Sequence, residues 1–349
     1  MIRTITKRRL CRIGRNFVVI ALLFPAAVMA VDIERQDVRD FVDTLATSHG
    51  LDRTYLQSVL ADGKTIQKIL DAISRPAEKT MPWYEYRTIF ITEERIEAGV
   101  QFWSEHDSRL ARISAETGVP EEIITAIIGV ETYYGRIRGN FRVLDALTTL
   151  GFDYPPRGKF FRSELEQLFL LAQEETLDVS TITGSYAGAM GPPQFIPSSY
   201  RRYAVDGDGD GIRDLIDNWD DILASVANYF VANGWRPNQP VAAAGVTEME
   251  IDVPAGRSKF KPDETVASLS NRGLSFEAEL DASTPAKLIS LEGENGPEYW
   301  AGFHNFYVIT RYNRSAMYAL AVFQLAEALA QERLAATIDA PDVAHRNTP

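Results

Sequence analysis

The chain has 349 residues, of which 45% are hydrophobic and 24% charged, so it can bury a globular core and is long enough for two or three structural units. Its formal net charge is −12. Because phosphate backbones repel such a chain, nucleic acid is not expected as a partner, whereas its carboxylates are available to divalent cations.

Residues 1–30 differ in kind from the rest of the chain. Six basic residues precede the apolar run FVVIALLFPAAVMA, which ends in small residues, and the segment holds no acidic residue. This is the layout of a secretory signal peptide, and cleavage is expected after Ala30. Its removal takes the net charge from −12 to −18. We therefore expect export, with membrane association if the leader is retained.

The cysteine and histidine positions exclude several chemistries. Cys11 is the only cysteine and precedes the apolar run, whereas a lipoprotein signal needs its cysteine just after that run. A mature chain without thiols has no disulfide, thiolate catalyst or cysteine metal site. The four histidines lie far apart and lack the H-E-x-x-H spacing of zinc proteases.

The segment from residue 36 to 118 has helical periodicity. Thr92 has the position of a helix cap, acidic residues follow it, and the pattern continues as one long helix to about Gly118. An earlier helix is predicted from the stripe Val38, Phe41, Val42 and Leu45.

Further helices are predicted from the stripe Phe161, Leu165 and Leu168, from about Ile222 to Ala232, and over SAMYALAVFQLAEALAQERLAA. Between about 240 and 298 the pattern changes. The segments EMEIDV and SFEAEL alternate with period two and are separated by turn-forming residues, which predicts a small β insert.

One carboxylate stands in an apolar helical run, AIIGVETYYG. Pro120 suits a first helical position, with acidic residues following it, so a helix is predicted from about Val119 or Pro120. At about 100° per residue, Glu131 lies within about 20° of Ile124 and therefore on the apolar stripe. A carboxyl group held there finds a partner or has its pKa raised, and a protonated carboxyl is a general acid. The alternative is a core glutamate that only organises the fold.

The segment GSYAGAMGPPQFIPSSY, residues 184–200, is rich in glycine and alanine, so a flat ligand could approach its backbone closely. Ser185, Gln194 and Phe195 add a hydroxyl, an amide and an aromatic face, which together suit a sugar. Ser185 is also a candidate hydrogen-bond partner of Glu131. The alternative is a purely structural glycine-rich turn.

The segment DGDGDGIRDLIDNWDD, residues 206–221, begins like an EF-hand loop. Asp206, Asp208 and Asp210 occupy positions 1, 3 and 5, and Ile212 can offer its carbonyl at position 7. Position 12 is Asp217, whose side chain is shorter than the usual glutamate. A longer loop closed by Asp220 or Asp221 is an open alternative, and so is a solvated acidic turn. A calcium ion here is expected to brace the fold.

Ten short words of the sequence carry a resemblance to a known family. They lie in order from about residue 83 to 318: WYEYR, FIT, GVP, IIGVETYYGR, LDALTTLGFDYP, GAMGPPQFIPSSY, DGDG, SVANYF, NGW and NFYVITRYNRS. In these words the chain resembles the lytic murein transglycosylase B family, which cleaves bacterial peptidoglycan and has a lysozyme-like core. The resemblance implies that Glu131 is the single catalytic acid/base.

The resemblance also implies roles for other side chains. The residues that would line the sugar groove are Ser185, Gln194, Phe195, Tyr86, Arg157, Tyr229, Tyr312, Asn313 and Tyr318. The acidic loop would be an EF-hand-like metal site closed beyond position 12. One departure is Pro156 beside Arg157, where the family pattern leads us to expect a second arginine that would contact sugar or wall peptide.

The fold implied is mainly α (α+β), with a lysozyme-like catalytic core, a flanking helical domain, an EF-hand-like loop and a small β insert. The expected divisions are the signal peptide at 1–30, a helical domain at 31–118 with 157–180, the catalytic core at 119–156 and 181–239, which includes the metal loop at 206–221, the β insert at 240–298, a core-closing segment with the last helix at 299–335, and a tail at 336–349.

The function implied is cleavage of the MurNAc-β-1,4-GlcNAc bond with formation of 1,6-anhydro-MurNAc ends, with Glu131 acting as acid and then as base. No cofactor is expected for catalysis, and calcium is expected as a structural ion. Peptidoglycan strands are the expected partners, cell-wall synthesis proteins are further candidates, and a monomer is expected. The alternatives are a hydrolytic muramidase with a second carboxylate and a non-catalytic, calcium-stabilised wall-binding protein.

Overall fold

The computed structural model describes residues 29–74, 81–175, 177–252 and 259–339. Most of the predicted leader, residues 1–28, lies outside this range, as do residues 340–349 of the predicted tail. Within the described ranges, no helix is both long enough and apolar enough to cross a membrane.

Helices form most of the regular structure in the described residues. They are α1 Gln36–His49, α2 Arg53–Asp62, α3 Gln67–Ile73, α4 Trp83–Arg87, α5 Glu93–Glu105, α6 Asp107–Thr117, α7 Glu121–Thr132, α8 Val143–Asp153, α9 Gly158–Glu174, α10 Pro197–Tyr203, α11 Trp219–Ala232, α12 Val266–Asn271, α13 His304–Tyr312 and α14 Ala316–Asp339. The strands are β1 Met29–Ala30, β2 Lys64–Thr65, β3 Phe141–Arg142, β4 Thr183–Gly184, β5 Ala242–Val246, β6 Glu264–Thr265, β7 Ser275–Phe276, β8 Pro285–Gly293 and β9 Gly296–Gly302. The mainly helical α+β prediction is confirmed.

The long helix predicted from Thr92 to Gly118 is two helices. Its ends are as predicted, since Thr92 Oγ1 accepts a hydrogen bond from the Arg95 N–H and Gly118 ends α6 in the left-handed conformation. The break lies at His106, which leaves helical geometry with φ −114° and ψ 17°. The His106 ring packs at 4.5 Å from the Phe102 ring and 5.0 Å from the Trp219 ring, so a tertiary contact accompanies the break that local periodicity does not reveal.

Helix α7 lies at the centre of the helical core. All its residues from Ile123 to Val130 are buried, and it packs against α5, α6, α11 and α14. Pro120 stands immediately before the helix, one residue from the predicted start. Burying one isoleucine side chain contributes about 1.5–3 kcal/mol to folding. Because α7 buries several such side chains, packing against the neighbouring helices holds it in place.

A five-stranded antiparallel sheet follows α11, in the order β6-β8-β9-β5-β7. It has a small apolar core of its own, which includes Leu269, Leu288, Tyr299 and Phe303. A small β insert was predicted, but of the five strands only β7 lies in a segment predicted as a strand. Its longest pair is the hairpin β8–β9, and β9 runs to Gly302, beyond the predicted end of the insert at 298.

The alternating segments contribute little to this sheet. In EMEIDV, residues 248–252 form no strand, and residue 253 lies outside the described residues. In SFEAEL only Ser275 and Phe276 form a strand, which is β7. Strand β8, by contrast, is buried from Ala286 to Ile289 on both faces, and a strand buried on both faces has no polar alternation to detect.

Candidate active site

Glu131 is the penultimate residue of α7 and is half-buried. Ile124, Ile127 and Ile128, on the same stripe of the helix, are completely buried. The predicted position of this carboxylate on an apolar helix face is therefore the observed one.

The chain turns sharply just after Glu131. Tyr133 and Tyr134 both adopt the left-handed conformation, with φ 51° and 59°, which is uncommon for residues other than glycine. Thr132 fixes this turn, because its hydroxyl donates to the Pro192 carbonyl at 2.9 Å and accepts from the Gly135 N–H at 3.1 Å. The end of α7 is thus tied directly to the glycine-rich segment.

The partner of Glu131 is a tyrosine of the last helix. The Tyr318 hydroxyl donates a hydrogen bond to Glu131 Oε1 at 2.6 Å, and the side chain is only 3% exposed. Burial raises the pKa of Tyr318 well above its usual value, and the nearby Glu131 adds to that rise. The hydroxyl therefore stays protonated and remains a donor.

Tyr312 lies parallel to Tyr318, with ring centroids 6.5 Å apart. Its hydroxyl donates to the Pro193 carbonyl at 2.6 Å, and burial raises its pKa well above the usual value. Tyr229 completes the cluster at 4.7 Å from the Tyr312 ring, and burial raises the pKa of Tyr229 to about 12. Neutral tyrosines from α11, α13 and α14 therefore hold the glycine-rich segment against α7.

The glycine-rich segment depends on glycine at two positions. A Cβ on Gly191, which has φ 65°, would overlap the Leu215 carbonyl, and one on Gly188, with φ 82°, would overlap the Leu147 side chain. Ser185 Oγ accepts hydrogen bonds from the Ala187 and Ala189 N–H groups at 3.3 and 3.1 Å. The compact turn brings Ser185 to the same groove as Glu131.

The groove beside Glu131 encloses about 460 Å³. Its lining consists of Glu131, Ser185, Tyr186, Ala187, Ala189, Gln194, Phe195, Ile196, Ser199, Tyr229, Arg311, Tyr312 and Asn313. Glu131 is the one carboxylate among these lining residues of the described chain. The site can therefore offer one carboxyl group together with amide, hydroxyl and aromatic side chains.

Not every residue expected in the sugar groove presents its side chain in the expected way. Phe195 is 2% exposed and packs on the rings of Tyr229 and Tyr312 at 5.6 and 5.7 Å, so it offers little open face for stacking. The Gln194 amide nitrogen donates to the Arg138 and Gly191 carbonyls at 3.2 and 2.9 Å.

Three of the expected residues do not line this groove: Tyr86, Arg157 and Tyr318. Tyr318 lies behind Glu131, as its hydrogen bond shows. Tyr86 is buried in α4, close enough to Tyr318 to contribute to that residue's raised pKa. Arg157 is exposed at the start of α9, where its guanidinium lies 4.4 Å from the Phe160 ring.

The groove is also lined by three residues that were not predicted from the sequence as site residues: Tyr186, Ser199 and Arg311. Each belongs to a segment with a recognisable pattern, GSYAG, IPSSY or ITRYN. Only the fold shows that these particular side chains face the groove, because each segment also holds other polar side chains that do not distinguish themselves by spacing.

The acidic loop gathers three of its predicted ligands. Single carboxylate oxygens of Asp206, Asp208 and Asp210 lie within 4.8 Å of one another. The chain wraps around Asp206, which accepts hydrogen bonds from the Gly209 and Gly211 N–H groups at 2.7 Å each. This curled turn of exposed carboxylates matches what a hard cation such as Ca²⁺ requires.

The two candidate closing carboxylates point in different directions. Asp220 forms ion pairs with Arg109 at 2.7 Å and Arg112 at 3.1 Å on α6, so its carboxylate is occupied outside the loop. Asp221 is completely buried and accepts the Gly207 and Asp214 N–H groups at 2.7 Å each.

Burial raises the pKa of Asp221, and Asp208 and Asp206 add to the rise, so Asp221 lies within the field of the loop carboxylates. Ile212 is 51% exposed, and its N–H donates to Asp210 Oδ1 at 2.8 Å. Asp217, at position 12, pairs with Arg138 at 3.1 Å. Of the three carboxylates considered for closing the loop, Asp217 and Asp220 pair with arginines, whereas among the described residues Asp221 accepts only backbone N–H groups.

The model of the transglycosylase SLT domain family matches residues 34–327 of the chain. Membrane-bound lytic murein transglycosylase B from Escherichia coli (strain K12) is 41% identical over 309 residues, which are 85% of this chain and 84% of the relative.

Solved structures give the same result. Soluble lytic transglycosylase SltB1 from Pseudomonas aeruginosa is 48% identical with a TM-score of 0.79, over 85% of this chain and 99% of that one. Escherichia coli Slt35 in complex with calcium is 40% identical with a TM-score of 0.77, over 88% and 97% of the two chains. SltB3 from Pseudomonas aeruginosa in complex with NAG-anhNAM-pentapeptide is 30% identical with a TM-score of 0.72, over 84% and 79%.

The family match covers most of the chain, and each of these relatives is at least 30% identical over more than two thirds of it. The predicted family and the lysozyme-like catalytic core are confirmed. The chain therefore belongs to the SLT-domain transglycosylase family and is a lytic murein transglycosylase.

Proposed function

We propose that Glu131 alone carries out both proton transfers of peptidoglycan cleavage in this chain. The observation that carries the proposal is the groove itself, whose described lining holds one carboxylate, beside sugar-compatible polar groups. Most glycosidases need two carboxylates flanking the scissile bond. A groove with a single one favours a reaction in which the substrate supplies the second group.

In the first step Glu131 acts as the acid. Its carboxyl proton passes to the oxygen that bridges N-acetylmuramic acid and N-acetylglucosamine, and the bond from that oxygen to the muramic C1 breaks. The muramic 2-acetamido group stabilises the positive charge that develops at C1. The apolar flanks of α7 lower the local dielectric, which favours the neutral acid before the step.

In the second step Glu131 acts as the base. The carboxylate takes the proton from the C6 hydroxyl of the same muramic residue while O6 bonds to C1, which closes the 1,6-anhydro ring. The proton that left in the first step is thereby returned and no water is consumed. The Tyr318 hydroxyl donates to Oε1 throughout, so it stabilises the carboxylate between the two steps.

The glycan strand is proposed to lie along the groove. Ser185, Gln194, Asn313 and Tyr229 offer polar groups to it, and Tyr312 borders the reacting centre. The product-like ligand named for SltB3, NAG-anhNAM-pentapeptide, belongs to the same substrate class and supports this proposal. Arg157 and Tyr86 lie outside the lining, so we assign them to more remote parts of the strand or its peptide.

A hydrolytic muramidase and a non-catalytic wall-binding protein are the rival assignments. Hydrolysis activates a water with a second carboxylate, and its product is one water heavier with a reducing end. Mass spectrometry of digested sacculi distinguishes the two reactions. A binding protein would pellet with sacculi and leave them intact.

The decisive variant is Glu131→Gln, which keeps the shape of the side chain but can neither give nor take a proton. We expect clearing of a peptidoglycan suspension to fall by at least about a thousandfold, since both steps need the group. The matched control is Glu332→Gln, the same change at an exposed position of α14, which should keep full activity. Clearing by Glu131→Gln at the parent rate contradicts the assignment.

The acidic loop is proposed to bind a structural calcium ion. Asp206, Asp208, Asp210 and Asp221 would supply carboxylate oxygens and Ile212 its carbonyl, while Asp220 remains paired with two arginines. The calcium named for Slt35 supports this choice of ion. A bound ion would neutralise carboxylates that otherwise repel one another, and it takes no part in the proton transfers.

We further propose that the chain acts on the cell wall in the periplasm after export by its leader. The expected leader lies almost entirely outside the described residues, but Met29 and Ala30 pair with Lys64 and Thr65 as β1 and β2. Cleavage after Ala30 would remove this strand. The domain divisions, monomeric state and contacts with cell-wall synthesis proteins proposed from the sequence are tested by limited proteolysis, sedimentation and affinity capture.

A further inference from the structure

A second cavity lies where the helical core meets the five-stranded sheet. It encloses about 600 Å³, more than the groove beside Glu131. Three segments form its walls: the connection from α11 to β5, the stretch before β6 and the stretch before β8. Phe303 and His304 close it at the start of α13.

One wall is held rigid by a buried amide. Asn305, which is completely buried, accepts a hydrogen bond from the Arg236 N–H at 2.9 Å and donates to the Arg236 and Gln239 carbonyls at 2.8 and 2.9 Å. His304 Nε2 lies 2.7 Å from the Gly234 carbonyl, and the Trp235 indole donates to the Gly118 carbonyl at 3.0 Å. The connection is therefore a preformed surface.

The cavity presents charges of both signs. Arg236 and Lys261 are its cations, and Glu279 and Asp281 are its anions. Within the described residues, the side chains of Arg236, Glu279 and Asp281 form neither an ion pair nor a hydrogen bond. Its floor is apolar, with contributions from Pro240, Pro262, Leu280 and Phe303. A ligand that fits would carry a carboxylate and an ammonium group on a short aliphatic framework.

Helix α13 joins this cavity to the catalytic groove. His304, its first residue, lines the cavity, and Tyr312, its last, lines the groove. Eight helical steps separate them, which is about 12 Å. An extended peptide spans about 3.3–3.6 Å per residue, so a four-residue peptide has the length of this separation.

We propose that this cavity binds the peptide stem of peptidoglycan, a short peptide that carries carboxylates and a free amine. Arg236 pairs with a stem carboxylate, Asp281 and Glu279 receive the ammonium group, and the apolar floor contacts the aliphatic chain. This inference rests on the proposed function, because a stem is attached to each muramic residue of an uncleaved strand. Occupation of the cavity would anchor a stem-bearing strand one helix length from the reacting bond.

The first test measures binding of the free tripeptide L-alanyl-γ-D-glutamyl-meso-diaminopimelate to the full chain by calorimetry. We expect binding that weakens about tenfold in Arg236→Ala and again in Asp281→Ala, and that is lost when the peptide carboxylates are amidated. Lys68→Ala, an equal loss of charge on exposed α3 away from the cavity, should bind as the parent does. Equal affinity in Arg236→Ala and the parent, or no heat from the parent at millimolar peptide, overturns the proposal.

The second test separates this cavity from the catalytic centre. With intact sacculi, Arg236→Ala should raise KM about tenfold and leave kcat unchanged; with peptide-free glycan strands, both constants should match the parent. Equal losses on both substrates would show a structural effect and overturn the proposal. If the parent cleaves neither substrate but still binds the tripeptide through Arg236, the proposed function fails and the cavity assignment stands.

Discussion

At the scale of single residues, the proposed reaction with one carboxylate requires a neighbouring hydrogen-bond donor that stabilises the ionised carboxylate and keeps its own proton. Tyr318 does this for Glu131. Its hydroxyl is 2.6 Å from Oε1, and its raised pKa keeps the proton on the tyrosine in every step. The hydrogen bond orients the carboxyl group and stabilises its ionised form, which in the proposed mechanism takes the proton from the C6 hydroxyl.

The variant Tyr318→Phe tests this role. The ring and its packing remain, but the charge-assisted hydrogen bond is lost, which is worth about 1.5–3 kcal/mol. We expect kcat to fall roughly 10- to 100-fold with little change in KM, as followed by release of anhydro-muropeptides. Tyr55→Phe on exposed α2 is the control and should behave as the parent. Unchanged kcat in Tyr318→Phe would show that Glu131 does not use this donor.

Glu131 could be predicted from the sequence because the spacing within its own helix places a carboxylate on an apolar stripe. Its partner could not be found in the same way. Tyr318 is 187 positions away, and no local spacing relates two helices so far apart in the chain. Likewise, Asp220 and Asp221 are equivalent in the sequence, and only the arginines of α6 show that Asp220 is occupied elsewhere.

At the scale of elements, the left-handed turn after α7 needs space for the ring that it sends back into the core. The Tyr134 ring lies over Gly99 of α5 and Gly129 of α7. A Cβ on Gly129 would be 2.7 Å from Tyr134 Cε1, and one on Gly99 would overlap the Tyr134 hydroxyl and Leu329 of α14. These two glycines therefore set the spacing of α5, α7 and α14 around Glu131.

We predict that Gly99→Ala destabilises the protein, although alanine is the better helix former. The added methyl group must displace Tyr134 or separate the helices, and overpacking of this kind costs about 1–3 kcal/mol. Chemical denaturation measures the loss. Gln101→Ala, on the exposed face of the same helix, is the control and should leave the unfolding free energy within about 0.5 kcal/mol. A stabilised Gly99→Ala protein would contradict the packing described here.

The secondary-structure elements also show which structural features a local sequence pattern can predict and which it cannot. Helices with one buried face, such as α1 and α9, could be predicted because burial on one side imposes a period of 3.6 residues. The break at His106 is accompanied by a ring contact with another helix, and β8 is buried on both faces. In both cases the tertiary environment, and not the local pattern, decides the structure.

At the scale of the whole molecule, the acidic loop joins four helices behind the groove. Arg213 pairs with Glu175 after α9, and its carbonyl accepts the Tyr200 hydroxyl of α10 at 2.5 Å. Arg112 of α6 donates to the Gly207 carbonyl at 3.2 Å, and Asp221 belongs to α11. Leu215, in the same loop, places its carbonyl against Gly191 of the glycine-rich segment. The loop thus packs directly against the glycine-rich segment, other residues of which line the groove.

We predict that calcium raises the melting temperature through this loop. An ion that binds only the folded state at 100 times its dissociation constant contributes about 2.7 kcal/mol, so chelation by EGTA should lower the melting temperature by several degrees in calorimetry. Activity measured well below that temperature should largely persist, because the acidic loop does not line the groove and the proposed proton transfers need no metal.

A variant separates the loop from general effects of calcium on an acidic protein. Asp208→Asn removes one ligand charge, so the melting temperature should fall towards the chelated value and respond little to EGTA, whereas Asp40→Asn on exposed α1 should keep the full response. Magnesium should substitute poorly, since this loop offers carboxylates in a curved, irregular arrangement and Mg²⁺ demands a near-ideal octahedron. If the parent melts at the same temperature with and without EGTA, the three clustered carboxylates are a solvated turn, and the rigidity of the groove comes from the arginine and tyrosine contacts alone.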